Sequence, residues 1–298
     1  MSPSQNEAFR DERSLRRLEI AITGKLNGLL HGNYESLLYG PGIERGEGRP
    51  YQPSDDARRV DWSLSARMNE LHVRDTIAER ELGTWLVVDS SASLEFGTAR
   101  MEKCDLALIA TAAFGLLGTQ AGNRTGLVRF DADGTEIVAP RGGRKSVMQI
   151  LHRIQRRPRG AVGAADLSNA LRVVDSTVKR RGRIVVISDL LDGGAWPSTL
   201  RRIAARHDVI VAEVSDPREW SLPASGLLTL VDPETGALLE VQTSDRRLRA
   251  RFEEAATRRR AEVDGAVRRA NARHLRLSTD RDWMADFVGF ARSTKWAV

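Results

Sequence analysis

Apolar and polar positions change rhythm several times along the chain. Leu15, Leu18 and Ile22 recur at three- and four-residue spacing, the stripe of an amphipathic helix, and His31, Gly32 and Asn33 end it. Over residues 34–81 the rhythm breaks into Gly, Pro, Arg and Asp. That is long for a structureless loop and predicts short strands or a small irregular segment. Three wholly apolar runs follow. Residues 85–88 end at Asp89, residues 184–187 end at Ser188 and Asp189, and residues 209–212 begin the third, a buried strand that runs to Val214. Strands covered on both faces read this way. Residues 125–130 and 136–139 add two more strands. Helical spacing fills 101–120, 144–156, 166–179 and 199–206.

Strands alternating with helices predict an α/β fold. The expected architecture is a doubly wound, mainly parallel sheet over residues 82–216. An N-terminal helix (1–33) and an irregular or β segment (34–81) precede it. A C-terminal part (217–298) follows. There, apolar runs 227–231 and 237–241 flank Asp232, Pro233, Glu234, Thr235 and Gly236, a hairpin signal. A helix over 245–272 carries Leu248, Phe252, Ala255, Val263 and Val267, an apolar stripe expected to pack on the sheet. A short strand (275–278) and a last helix (283–292) complete the chain.

With 298 residues, 41% of them hydrophobic and 29% charged, the chain buries a core without disulfide or metal staples. Its one cysteine, Cys104, excludes a disulfide framework and every multi-cysteine zinc site. The longest nearly apolar stretch, residues 106–118, is too short to cross a bilayer. Residues 1–13 are polar and charged, so no signal peptide and a cytoplasmic location are expected. Lys plus Arg is 46 against 40 acidic residues, a net charge of +6, and only five of the 46 are Lys. A pI near 9.9 permits an acidic partner or nucleic acid. The basic residues are scattered, however, and nucleic acid is not the expected partner.

Several chemistries drop out. No phosphate-cradling Gly-x-x-x-x-Gly-Lys-Ser/Thr loop, no Gly-x-Gly-x-x-Gly turn and no Gly-x-Ser-x-Gly elbow occurs. His31, His72, His152, His207 and His274 lack zinc spacing, and Cys104 has no paired histidine. What remains is a pair of carboxylates. Asp89 and Asp189 each end a buried apolar run, and open α/β sheets collect ligands beyond such strand ends. Asp89 also opens Asp-x-Ser-x-Ser, with Ser91 and Ser93. Hard oxygen ligands of this kind suit Mg²⁺ or Mn²⁺. The plainer alternative is that Asp89 and Ser91 cap the next helix.

The order strand, Asp-x-Ser-x-Ser, helix, then a later apolar strand ending in Asp resembles a von Willebrand factor A domain. That resemblance implies a metal-ion-dependent adhesion site formed by Asp89, Ser91, Ser93 and Asp189. There a partner carboxylate completes the coordination of a divalent cation. The family adds a Thr from a Gly-x-Thr-x-x-x-x-x-Leu setting. Here the stretch from Gly163 to Leu171 places Ala165 at that position. Binding of Mg²⁺ or Mn²⁺ is therefore expected to be weak or absent, unless Asp166 or Ser168 compensates.

Upstream, Arg49, Tyr51, Pro53, Asp55, Asp56, Arg58, Asp61 and Trp62 spell Arg-x-Tyr-x-Pro-x-Asp-Asp-x-Arg-x-x-Asp-Trp. This resembles the bacterial domain-of-unknown-function-58 family, a von Willebrand A-like group. By its residues the motif reads as a structural clasp of paired Arg and carboxylates. The resemblance implies a non-enzymatic interaction module that partners MoxR-type AAA+ ATPases in chaperone or maturation assemblies. Two alternatives stand beside it: a metal-dependent hydrolase using Asp89 and Asp189, and nucleic-acid binding through the Arg-rich surface.

Overall fold

The computed structural model describes residues 12–30, 48–52, 60–74, 83–120, 122–156 and 163–293. Its centre is a six-stranded sheet. Strand β3 (Thr84–Asp89) shows why the apolar runs are continuous. Trp85 and Val87 face one helical layer, while Leu86 and Val88 face the other. The same alternation holds in β6 (Arg183–Ser188) and β7 (Asp208–Ser215). With both faces covered, no position in these strands is left for a polar residue facing water.

Strands β4 (Thr125–Asp131), β5 (Gly134–Arg141) and β10 (Arg273–Ser278) complete the sheet. The order is β10-β7-β6-β3-β4-β5. Every pairing is parallel except β4 with β5, which is antiparallel. The predicted doubly wound, mainly parallel sheet is present.

One layer holds α1 (Glu12–Leu30), α3 (Lys103–Gln120), α4 (Arg144–Gln155) and α8 (Trp283–Ser293). The other holds α5 (Leu167–Thr177), α6 (Trp196–Ala204) and the end of α7 (Arg246–Arg269). Helix α3 is buried almost all round, because α1, α4 and α8 cover the side turned away from the sheet. Gly115 permits this crowding. A Cβ there would lie 2.9 Å from Val147 Cγ1 on α4.

Three expectations need correction. The α/β unit does not stop at residue 216. Strand β10 extends the sheet beside β7, with Leu275 and Leu277 buried on one face and Arg276 largely open on the other. An edge strand covered on one side alternates, so it lacks the apolar run that marks β3 or β6. The N-terminal helix is likewise part of the core rather than a separate piece. Leu15, Leu18 and Ile22 pack beside α3, and buried Glu19 pairs with Arg144 at the start of α4. Finally, only the second half of α7 packs on the sheet, through Val263, Ala266, Val267 and Ala270. Ala255, in the first half, is exposed.

The irregular segment contains a two-stranded antiparallel sheet, β1 (Gly48–Pro50) with β2 (His72–Arg74), and a short helix α2 (Trp62–Met68). The predicted hairpin is β8 (Leu227–Val231) with β9 (Leu238–Gln242), a separate two-stranded sheet.

Candidate functional site

Strands β3 and β6 are neighbours, yet the chain leaves them in opposite directions across the sheet. From β3 it steps to β4 and β5. From β6 it steps to β7. This is the topological switch point, where helices diverge and open a crevice beyond the strand ends. Asp89 and Asp189 sit there, 5% and 7% exposed.

The two aspartates are wired to the loops that follow them. Asp89 Oδ1 accepts from the Ser91 amide at 2.8 Å, and its Oδ2 accepts from Ser188 Oγ at 2.7 Å. Asp189 Oδ1 accepts from the Leu191 amide at 3.1 Å, and its Oδ2 from Ser93 Oγ at 2.7 Å. Ser91 and Ser93 hydroxyls lie 2.9 Å apart. All four residues expected from the sequence therefore meet in one cluster. The capping alternative does not describe it: Ser91 precedes the 3-10 turn Ala92–Glu95, and its side chain makes no capping bond. Burial and the nearby Asp189 charge push the Asp89 carboxyl up to about 6, against the lowering effect of its Ser188 and Ser91 bonds.

A fifth member was not expected. Lys103, the first residue of α3, is 1% exposed, and its Nζ lies 2.8 Å from Asp189 Oδ2. The same ammonium pairs with Glu219. Burial draws the Lys103 pKa down, but attraction to Asp189 and Glu219 outweighs it, and the net direction is upward. Glu219 is delivered by a capping box: the Asp216 side chain accepts from Arg218 N, and Glu219 Oε2 accepts from the Asp216 amide at 3.0 Å. Asp216 is itself fully buried and accepts from Thr98 N, Thr98 Oγ1 and Thr279 Oγ1 at 2.7, 2.6 and 2.5 Å. Those bonds hold its pKa below the usual carboxylate range despite its burial.

The backbone after Asp189 is strained. Leu190 is buried and has φ 56, a region that bulky side chains avoid. Its amide donates to Ser188 Oγ at 3.0 Å, and its carbonyl accepts from Arg259 at 3.1 Å. This turn aims the Leu191 amide back at Asp189.

Donors from the protein already engage both carboxylates. Each of the four carboxylate oxygens of Asp89 and Asp189 already accepts a proton donor from the protein. The Lys103 ammonium touches Asp189 Oδ2, which also accepts from Ser93 Oγ. Ala165 turns its methyl to the apolar layer of α5 and α6. Asp166 does not compensate: it caps α5 through the Asn169 amide at 2.7 Å and faces Arg172. Ser168 Oγ is buried without a hydrogen-bond partner and lies against the Asp192–Gly194 turn.

A family model described as "Protein of unknown function DUF58" matches residues 47–262. The chain belongs to the DUF58 family. A relative, the uncharacterized protein Rv1480 of Mycobacterium tuberculosis, is 45% identical over 283 residues, covering 95% of this chain and 89% of its own. The uncharacterized protein MAV169 of Mycobacterium avium is 42% identical over 159 residues, 53% of this chain and 94% of its own. Among solved structures, BatB of Bacteroides thetaiotaomicron resembles 72% of this chain over 98% of its own, with TM-score 0.45 and 14% identity. The SpRpn10 VWA domain resembles 73% of this chain over 99% of its own, with TM-score 0.40 and 12% identity.

Other residues of this DUF58 protein lie apart from the cluster. In the upstream motif, Arg49 pairs with Val73 in the small sheet, and the Tyr51 amide donates to Leu71 O at 2.7 Å. Asp61 caps α2 through the Leu64 amide at 3.0 Å, and Trp62 is exposed. Pro53, Asp55, Asp56 and Arg58 lie outside the described residues, and with them the expected ion-pair clasp. His274 sits between Glu213 and Asp264, with Arg276 beside both. Cys104 Sγ donates to Glu102 at 3.3 Å. Among the described residues no helix is long and apolar enough to cross a membrane.

Sequence reading missed Lys103 and Glu219. Two signals pointed to them. Lys103 is one of only five lysines and opens a helix that is otherwise nearly all apolar. Asp216-Pro217-Arg218-Glu219 is a capping-box pattern directly after a buried strand.

Proposed function

We propose that this DUF58 protein is a protein-interaction module without catalytic activity, and that it docks a MoxR-type AAA+ ATPase on the rim around Asp89 and Asp189. One observation carries the reading. Asp89, Ser91, Ser93 and Asp189 converge from segments 96 residues apart onto the crevice at the switch point of the sheet, where folds of this class bind their ligands. The serine hydroxyls bond carboxylates, and among the described residues no histidine joins them as a base. A hydrolase at this rim would need a metal to activate water, and Lys103 already stands against Asp189 there. Nucleic acid is disfavoured at this rim, because Asp192 and Glu234 add negative charge near Asp189.

The test is a titration of the purified full chain with the MoxR-type ATPase of the same genome, in Mg²⁺ and ATP. The expected result is saturable binding that weakens about tenfold or more in Asp89→Ala, with an unchanged circular dichroism spectrum. Asp89→Asn, which keeps the shape of the side chain, guards against loss of fold. Equal affinity in both variants would move the docking surface elsewhere. No binding of the wild type would remove this ATPase as partner.

A further inference from the structure

We propose that Lys103 is the resident cation of this site: its ammonium stands where the adhesion-site architecture would otherwise hold a divalent ion, and it excludes one. The inference rests on reading this rim as the functional site of the chain. Its test involves no ATPase, so either reading can fail alone.

Four observations lead to it. Lys103 Nζ and Ser93 Oγ share the same oxygen, Asp189 Oδ2, at 2.8 and 2.7 Å. Lys103 is sealed from water, 1% exposed. A lysine is desolvated in this way only when its charge is matched, and Glu219 with Asp189 matches it on two sides. The Phe96 ring adds a third wall, with the ammonium 5.9 Å from its centroid.

The pocket is built rather than incidental. Three separate segments frame it. Thr98 and Thr279 fix Asp216, and Asp216 fixes Glu219 through the capping box. That chain of contacts places one carboxylate against one ammonium.

The cluster charges follow the same logic. Asp89, Asp189 and Glu219 bring three carboxylates to one crevice. A lone metal site would gather such groups around an ion. Here the lysine takes up part of that charge, and an incoming divalent ion would meet an immobile positive charge on its own ligand. The missing Thr at Ala165 is then a consequence as much as a cause: a site that holds an ammonium has no use for another metal ligand.

The experiment is a calorimetric titration of Mn²⁺ into the full chain and three variants: Ala165→Thr, Lys103→Met, and Lys103→Met with Asp89→Asn. The wild type is expected to show no saturable binding up to about 1 mM Mn²⁺. Ala165→Thr, which restores the family's hydroxyl, is expected to remain as inert. Lys103→Met is expected to gain Mn²⁺ binding at least about tenfold tighter than the wild type, and to lose it again with Asp89→Asn. Saturable binding by the wild type would overturn the proposal. So would binding gained by Ala165→Thr alone, because the missing hydroxyl and not the lysine would then be the obstacle. A folded Lys103→Met that gains no Mn²⁺ binding would overturn it too, and Lys103→Gln stands in if the Met variant fails to fold.

Discussion

Lys103 Nζ lies 2.8 Å from Asp189 Oδ2, and both side chains are almost wholly removed from water, at 1% and 3% exposure. The two residues are 86 positions apart in sequence. The pair ties the start of α3 to the end of β6, across the crevice that the sheet opens at its switch point.

Breaking that pair should be costly. Lys103→Met leaves Asp189 and Glu219 buried beside an apolar side chain. Loss of one partner of a buried ion pair costs about 3–5 kcal/mol. Urea denaturation should show the midpoint falling accordingly. Glu219→Gln should cost less in the Lys103→Met background than in the wild type, because the two residues share one interaction. Additive losses would mean that Glu219 acts independently of the lysine.

Asp89 sets a pH dependence of stability. Its carboxyl titrates at about 6 in the folded chain and near 3.8 when unfolded. Between those values the folded protein holds a proton that the unfolded chain has released. The resulting stabilisation is fully present below pH 3.8 and is lost as pH rises through about 6, an effect of about 3 kcal/mol at most. Asp89→Asn removes the titrating group. The stability of the wild type relative to Asp89→Asn should therefore fall from pH 4 to pH 7, and a flat difference would refute the assignment.

Asp216 works with the opposite sign. Its bonds to Thr98, Thr279 and Arg218 hold its folded pKa below the ordinary value. Its contribution is present above pH 3.8 and is lost as pH falls through that depressed value. Asp216→Ala should cost about 3 kcal/mol at neutral pH, since charge-assisted bonds to buried donors are lost together. It should also flatten the acid limb of the stability curve. The same variant frees Glu219, so it should reproduce part of the Lys103→Met phenotype in urea denaturation.

Leu190 tests the strain beside the site. Its φ of 56 is tolerated by an unbranched Cβ far better than by a branched one. Leu190→Met should be mild, below about 1.5 kcal/mol. Leu190→Ile conserves volume but should cost about 1–2 kcal/mol more than Leu190→Met, because the branched side chain meets the left-handed backbone. Equal effects of the two would mean that the turn relaxes without penalty.

Much of this architecture is legible in the sequence. A short run such as Leu86, Val87 and Val88, mostly β-branched and ended by an aspartate, suits a strand covered on both faces, and the aspartate then lies at the sheet's rim. Strand β10 was legible as a strand but not as a member of the sheet. His274 and Arg276 alternate with Leu275 and Leu277, and an edge strand of the sheet and a strand of an isolated hairpin read alike. The apolar positions in the first half of α7 share the spacing of the second half, yet only the second half meets the sheet.

By itself, then, the sequence determined the element types, the parallel sheet and the two aspartates at the strand ends, because periodicity and local charge are properties of neighbouring residues. What stands between those aspartates depends on the folded chain. Lys103 reads as an ordinary polar residue at a helix start. It becomes an ion-pair centre because folding brings Asp189 and Glu219, 86 and 116 residues away, onto its ammonium and removes water from all three. Desolvation depends on every segment that closes around a group, and no local pattern of residues encodes it.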